Sequence, residues 1–175
     1  MQLSFSPDSV VVVAGVPGAG KTTLIRRTVD RSVARVVDTE DRRGWRPGAV
    51  LYLEHYLRIL FAVLGRRPAV IHSRGTHAPL RRGIALLARL RGRPAHLVLL
   101  HAEREEAEAG QRARGRRVPS PEMERQVARW RRLVRRRGGG EGWASVVVLD
   151  RDEAARTDAI EFPATAGAAV AAATM

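Results

Sequence analysis

The chain has 175 residues, 45% of them hydrophobic, which suits one domain with a sizeable core. It contains no cysteine, so disulfide frameworks and thiolate metal sites are excluded. Lys+Arg 31 against Asp+Glu 18 gives a net charge of +13, which fits a polyanionic partner such as nucleic acid and equally fits a genome biased towards arginine.

The N-terminal MQLSFSPDS lacks a positively charged leader, and the apolar run Val10 to Ala14 is too short to enter a membrane. A cytoplasmic protein with no membrane partner is therefore expected. Ser9 to Ala14 is a continuous β-branched run and reads as a buried parallel strand. A glycine-rich turn follows, then a helix from Lys21 to Val29. A second strand at Arg35 to Val37 leads into the charged segment Asp38 to Arg43, and Trp45 to Gly48 reads as a loop. Ala49 to Leu64 carries Leu53, Tyr56, Leu57, Leu60, Phe61 and Leu64 at helical spacing and reads as a long helix. Ala69 to His72 is a third strand. Pro79 suits the start of the next helix, Leu80 to Leu90, and Ala95 to Leu100 is a fourth strand.

Beyond residue 100 the character changes. Glu103 to Ala113 reads as a charged helix, Arg112 to Arg117 as an arginine loop, and Glu122 to Arg136 as a further helix. Within that helix Trp130 stands among arginines, and its spacing with Val127, Leu133 and Val134 favours packing over base stacking. Ser145 to Leu149 is a fifth strand. The Ala-rich segment 153–175 is set apart as a tail, with Ala164 to Met175 read as disordered or weakly helical. Strands alternating with helices predict an α/β fold of three layers, a five-stranded, mainly parallel sheet covered on both faces, over residues 1–152. Ligands bind such sheets at the carboxyl ends of the strands. That rule places Gly15 to Thr22, Asp38 to Arg43, His72 to His77 and Asp150 on one rim.

Gly15, Gly20, Lys21 and Thr22 fit G-x-x-x-x-G-K-[ST] between an expected strand and an expected helix, the context a phosphate-binding loop requires. Gly18 and Gly20 let backbone N–H groups turn inward on phosphate oxygens, and the helix start adds its positive end. The loop Gly15, Val16, Pro17, Gly18, Ala19, Gly20, Lys21, Thr22, with Thr23 after it, is the expected ATP site. Lys21 reaches the β- and γ-phosphates, and the Thr22 hydroxyl is the expected ligand of Mg²⁺. Lys21 is also the only lysine in the chain. A compact point charge on a slim stem is needed there, and the planar fork of arginine does not replace it.

This organisation resembles the small P-loop kinases, the group of polynucleotide kinase, zeta toxin and gluconate kinase, also described as AAA-type ATPases. The resemblance covers about residues 9–150 and implies the P-loop NTPase fold. It also implies transfer of the γ-phosphate of ATP to an acceptor hydroxyl, on a nucleic-acid 5′-end or a small metabolite. In that group an acid after the second strand activates the acceptor, and an arginine binds it. By resemblance Glu40 falls on the acid and Arg43 on the arginine, with Asp38 as the alternative acid. The group also carries a mobile arginine lid, here about 103–121, in which Arg112 and Arg116 would close over the transferring phosphoryl group. After the third strand the segment His72-Ser73-Arg74-Gly75-Thr76-His77 departs from the group, because it holds no acid. Arg74 is an expected acceptor contact. The alternative reading is a nucleotide-binding ATPase or regulatory module with nucleic-acid affinity and little phosphotransfer. A monomer or a homodimer is expected.

Overall fold

The computed structural model describes residues 1–38, 48–73, 77–102, 104–112, 120–138 and 140–164. The elements in chain order are β1 (Gln2–Ser4), β2 (Val10–Gly15), α1 (Lys21–Thr28), β3 (Arg35–Val37), α2 (Gly48–Leu64), β4 (Ala69–Ser73) and α3 (Ala78–Leu90). They continue with β5 (Ala95–Leu100), α4 (Arg104–Arg112), α5 (Ser120–Arg135), β6 (Ser145–Leu149), α6 (Arg151–Arg156) and β7 (Ala159–Glu161).

The five expected strands form one sheet in the order β3-β4-β2-β5-β6, parallel at every pairing. β2 lies at the centre because both of its faces are apolar: Val10, Val11, Val12 and Val13 are all 0% exposed. Its side chains alternate between two cores. Val10, Val12 and Ala14 pack with Ile59, Ala62 and Val63 of α2, Ile84 and Ala88 of α3, and Trp130 of α5. Val11 and Val13 pack on the other face with Leu24 and Ile25 of α1. Trp130 is thus a core residue, as its spacing indicates.

Beyond residue 152 the described chain continues into packed structure. The boundary drawn from sequence falls inside α6, and β7 pairs in parallel with β1 to make a small second sheet. Ile160 and Phe162 are buried against Phe5, Val11 and Ile25, which fixes this segment to the domain. Asp150, assigned to the rim from sequence, caps α6. Its Oδ1 accepts from the Glu153 amide at 2.7 Å, and the Glu153 carboxylate accepts from the Asp150 amide.

The faces of α2 differ from a simple amphipathic reading. Leu53, Tyr56, Leu57, Leu60, Phe61 and Leu64 are all exposed, and the core side is built by Ile59, Ala62 and Val63. The C-terminus of α2 is satisfied from another element. Arg93, 7% exposed, donates from Nη1 to the carbonyls of Ala62, Val63 and Gly65 at 2.9, 2.7 and 2.6 Å. Its Nε and Nη2 reach the carbonyls of Asp8, Ser9 and Arg67. One guanidinium therefore serves the helix end and the chain entering β2 and β4. The carbonyls a helix leaves unpaired at its end need such a donor. Arg93→Ala should lower stability by about 3 kcal/mol or more, with Tm falling by roughly 10 °C in a thermal melt. Arg93→Lys should recover only part of this, since an ammonium lacks the fork. A melt of Arg93→Ala within about 2 °C of wild type would contradict this role.

Candidate functional site

The carboxyl end of β2 turns into the phosphate loop at Gly15. Gly18 (φ 91°) and Gly20 (φ 89°) both take the left-handed conformation that favours glycine. Gly20 is the N-cap of α1, its carbonyl accepting from the Leu24 amide at 2.9 Å. The first turn of α1 holds no acidic residue, so the helix's own side chains leave its positive end unneutralised.

Lys21 is only 6% exposed, and its Nζ donates to the carbonyls of Gly15 at 2.8 Å and Val16 at 2.9 Å. The ammonium is folded into the mouth of its own loop. Thr22 is 3% exposed and Thr23 is on the exposed side. A buried ammonium, two left-handed glycines and a helix start suit the phosphates of a nucleotide. The buried Thr22 hydroxyl is an oxygen donor of the hard kind that Mg²⁺ takes, together with water and phosphate oxygens.

The loop is also closed from above. A methyl group on Gly18 would collide with the backbone carbonyl of Ala107, and one on Gly110 with the carbonyl of Gly18. α4 therefore lies directly on the loop, with Ala107 fully buried at the contact. Arg112 ends this helix, two residues beyond Gly110, with an exposed side chain. The segment expected to carry arginines over the phosphates thus begins in contact with the loop. The sequence signal was available in Ala107 and Gly110, two small residues three apart on one helix face.

Beside the loop stand Asp38 and His72. Val37 pairs with Ile71, and His72 pairs with Val13, so the two residues sit at the carboxyl ends of neighbouring strands, β3 at the sheet edge and β4 between it and β2. Asp38 is 1% exposed and His72 9%, and His72 Nδ1 meets Asp38 Oδ1 at 2.5 Å. The ring N–H donates and the carboxylate accepts. His55 of α2 lies within electrostatic reach of both. Burial, with Arg58 and His72 adding to it, pushes His55 below its ordinary value, and Asp38 opposes this.

Of the site residues read from sequence, Gly15 to Thr22 form the loop on which the helix ending in Arg112 lies, and Asp38 follows β3, two strands from the loop's β2, paired with His72. Glu40, Arg43, Arg74 and Arg116 lie outside the described residues. The sequence reading missed the pairing of His72 with Asp38, because it depends on β3 and β4 being neighbours. Among the described residues no group of three or more His, Asp or Glu side chains forms a metal cluster. No described helix is long and apolar enough to cross a membrane.

A family model described as an AAA domain matches residues 10–137. No curated protein matches the sequence. Among solved structures the chain is similar to one from the PezAT chromosomal toxin-antitoxin system of Streptococcus pneumoniae, with 15% identity and TM-score 0.61, covering 87% of this chain and 71% of that one. It is similar to a gluconokinase from Sinorhizobium meliloti, with 17% identity and TM-score 0.57 over 83% of this chain and 84% of that one. It is similar to Chaetomium thermophilum Kti12, solved with ADP-AlF3, at 19% identity and TM-score 0.52 over 81% and 88% of the two chains. The fold is the P-loop fold of these proteins, a mainly parallel sheet with helices on both faces.

Gly18→Ala should weaken binding of a fluorescent ATP analogue at least tenfold, because the added methyl forces α4 off the loop. Gly83→Ala, in α3 with nothing within 4 Å of the new methyl, should leave binding intact and add up to about 1 kcal/mol of stability. Equal affinity in the two variants would contradict the close packing of α4 on the loop.

Proposed function

We propose that this chain, which belongs to the AAA domain family, is a phosphotransferase that moves the γ-phosphoryl group of ATP to an acceptor hydroxyl. The observation that carries this reading is the buried Asp38–His72 pair at the strand ends beside the phosphate loop. A module that only binds nucleotide has no need of a proton acceptor held in that position.

The loop amides and Lys21 bind the phosphates, Lys21 leaving the carbonyls of Gly15 and Val16 for the β- and γ-phosphate oxygens. The Thr22 hydroxyl would hold Mg²⁺, whose charge would offset that of the phosphates. Asp38 accepts the Nδ1–H of His72, which fixes the ring and leaves Nε2 to take a proton. As the acceptor oxygen bonds to the γ-phosphorus, the bond from that phosphorus to the bridging oxygen breaks and ADP departs. The hydroxyl proton passes to His72, whose imidazolium Asp38 then stabilises. Arg112, at the end of the helix on the loop, and Arg116 supply positive charge to the transferring group. Arg43 and Arg74 hold the acceptor. By the resemblance Glu40 is the alternative proton acceptor. The acceptor hydroxyl is that of a nucleic-acid 5′-end or a small metabolite, and the protein acts in the cytoplasm.

His72→Gln and Asp38→Asn should each bind ATP with near wild-type affinity and transfer phosphate about 10²–10⁴-fold more slowly. Transfer at the wild-type rate in both variants, together with a loss in Glu40→Gln, would move the proton to Glu40 and remove His72 from the chemistry.

A further inference from the structure

We infer that the outward face of α2 is the contact surface of a symmetric homodimer. The face carries Val50, Leu53, Leu57, Phe61 and Leu64, each between 36% and 61% exposed. At 3.6 residues per turn these positions share one arc of the helix, and they extend over about 21 Å. Leu86 and Leu90 of α3, which packs alongside α2, are exposed as well, at 48% and 73%. Soluble monomers rarely expose contiguous apolar patches above a few hundred Å². A helix that is apolar on its outer side as well as its inner side is built to be covered on both.

Three observations identify a second copy of this chain as the cover. First, the spacing is palindromic. Val50, Leu53, Leu57, Phe61 and Leu64 follow one another at three, four, four and three residues. A two-fold axis through Leu57 therefore sets two antiparallel α2 helices with Val50 of each copy against Leu64 of the other, Leu53 against Phe61, and Leu57 against itself. Self-complementarity of this kind is what an isologous interface requires. Second, charge is locally scarce. In a chain with Lys+Arg 31, α2 holds one arginine, Arg58, and one glutamate, Glu54, and neither lies in the outward arc. Depletion of charge at the centre marks a protein–protein contact, whereas an anionic membrane or an acidic partner would be met by arginines on this helix. Third, the chain's own continuation starts on the far side. Phe162, near the last described residue, packs with Val11, Val13 and Leu24 on the sheet face opposite α2.

The test is solution mass over a dilution series from high to low micromolar protein, in wild type and Leu57→Lys. Wild type should run at twice the monomer mass of 19.3 kDa, and Leu57→Lys, which sets like charges face to face on the axis, at 19.3 kDa. Unchanged ATP-analogue binding in the variant shows that its fold is intact. Because the chain has no cysteine, Leu57→Cys supplies a second, independent reading. Oxidation should link it to itself, while Ala155→Cys, exposed on α6, which packs on the sheet face opposite α2, should remain unlinked. A wild-type mass of 19.3 kDa at every concentration overturns the inference, as does a dimer that survives Leu57→Lys and gives no Leu57→Cys cross-link. Monomeric wild type that sediments with phosphatidylserine vesicles overturns it in favour of a lipid surface.

Discussion

The structure turns on one buried charge. Lys21 places an ammonium inside a loop whose carbonyls accept it at 2.8 and 2.9 Å, below the centre of a sheet and at the head of a helix. Removing an ammonium from water is costly, and carbonyl dipoles offset only part of that cost. A phosphate oxygen brings full charge to the same point. The arrangement that makes this possible is set by β2. Its four buried valines fix it at the sheet centre, its carboxyl end delivers Gly15 to the rim, and Gly18 and Gly20 bend the chain so that α1 starts there.

The neighbouring strands build the rest of the rim by register. β4 lies beside β2, so His72 comes next to Val13, and β3 lies beside β4, so Asp38 comes up to His72. On the other side of β2, β5 leads to α4, which settles on Gly18 through Ala107 and Gly110. The ends of four neighbouring strands, β3, β4, β2 and β5, thus set the Asp38–His72 pair, the phosphate loop and the helix ending in Arg112 along one rim. At the opposite end of the sheet Arg93 ties the last carbonyls of α2 to the entrances of β2 and β4. Buried Arg81 of α3 pairs with Glu141 through two hydrogen bonds and anchors the approach to β6. These polar clamps hold the layers whose outer surface, on α2, stays apolar.

Much of the fold was legible because β2 is an unbroken apolar run, β4 and β5 are largely apolar, and the helices between them are bounded by Gly and Pro. The phosphate loop was legible because its motif sat between a strand and a helix. Three features were hidden for physical reasons. β1 and β7 are three residues each, too short for alternation to show, and their pairing joins the two ends of the described chain. The faces of α2 could not be assigned, because Leu53 and Leu57 on the outside are as apolar as Ile59 and Val63 on the inside. The Asp38–His72 pair joins residues 34 apart and required the strand order, which spacing does not give. His72 therefore read as a plain rim residue, and Asp38 as the alternative acid to Glu40 with no partner assigned to it.

The most direct measurement of the central claim is transfer of label from γ-labelled ATP with Mg²⁺, offered in parallel to a 5′-hydroxyl oligonucleotide and to a pool of small metabolites. Wild type should label one of the two, and Lys21→Ala should label neither. The acceptor that takes the label identifies the substrate class. ATP binding without label on either acceptor, or equal transfer by Lys21→Ala, would contradict the account.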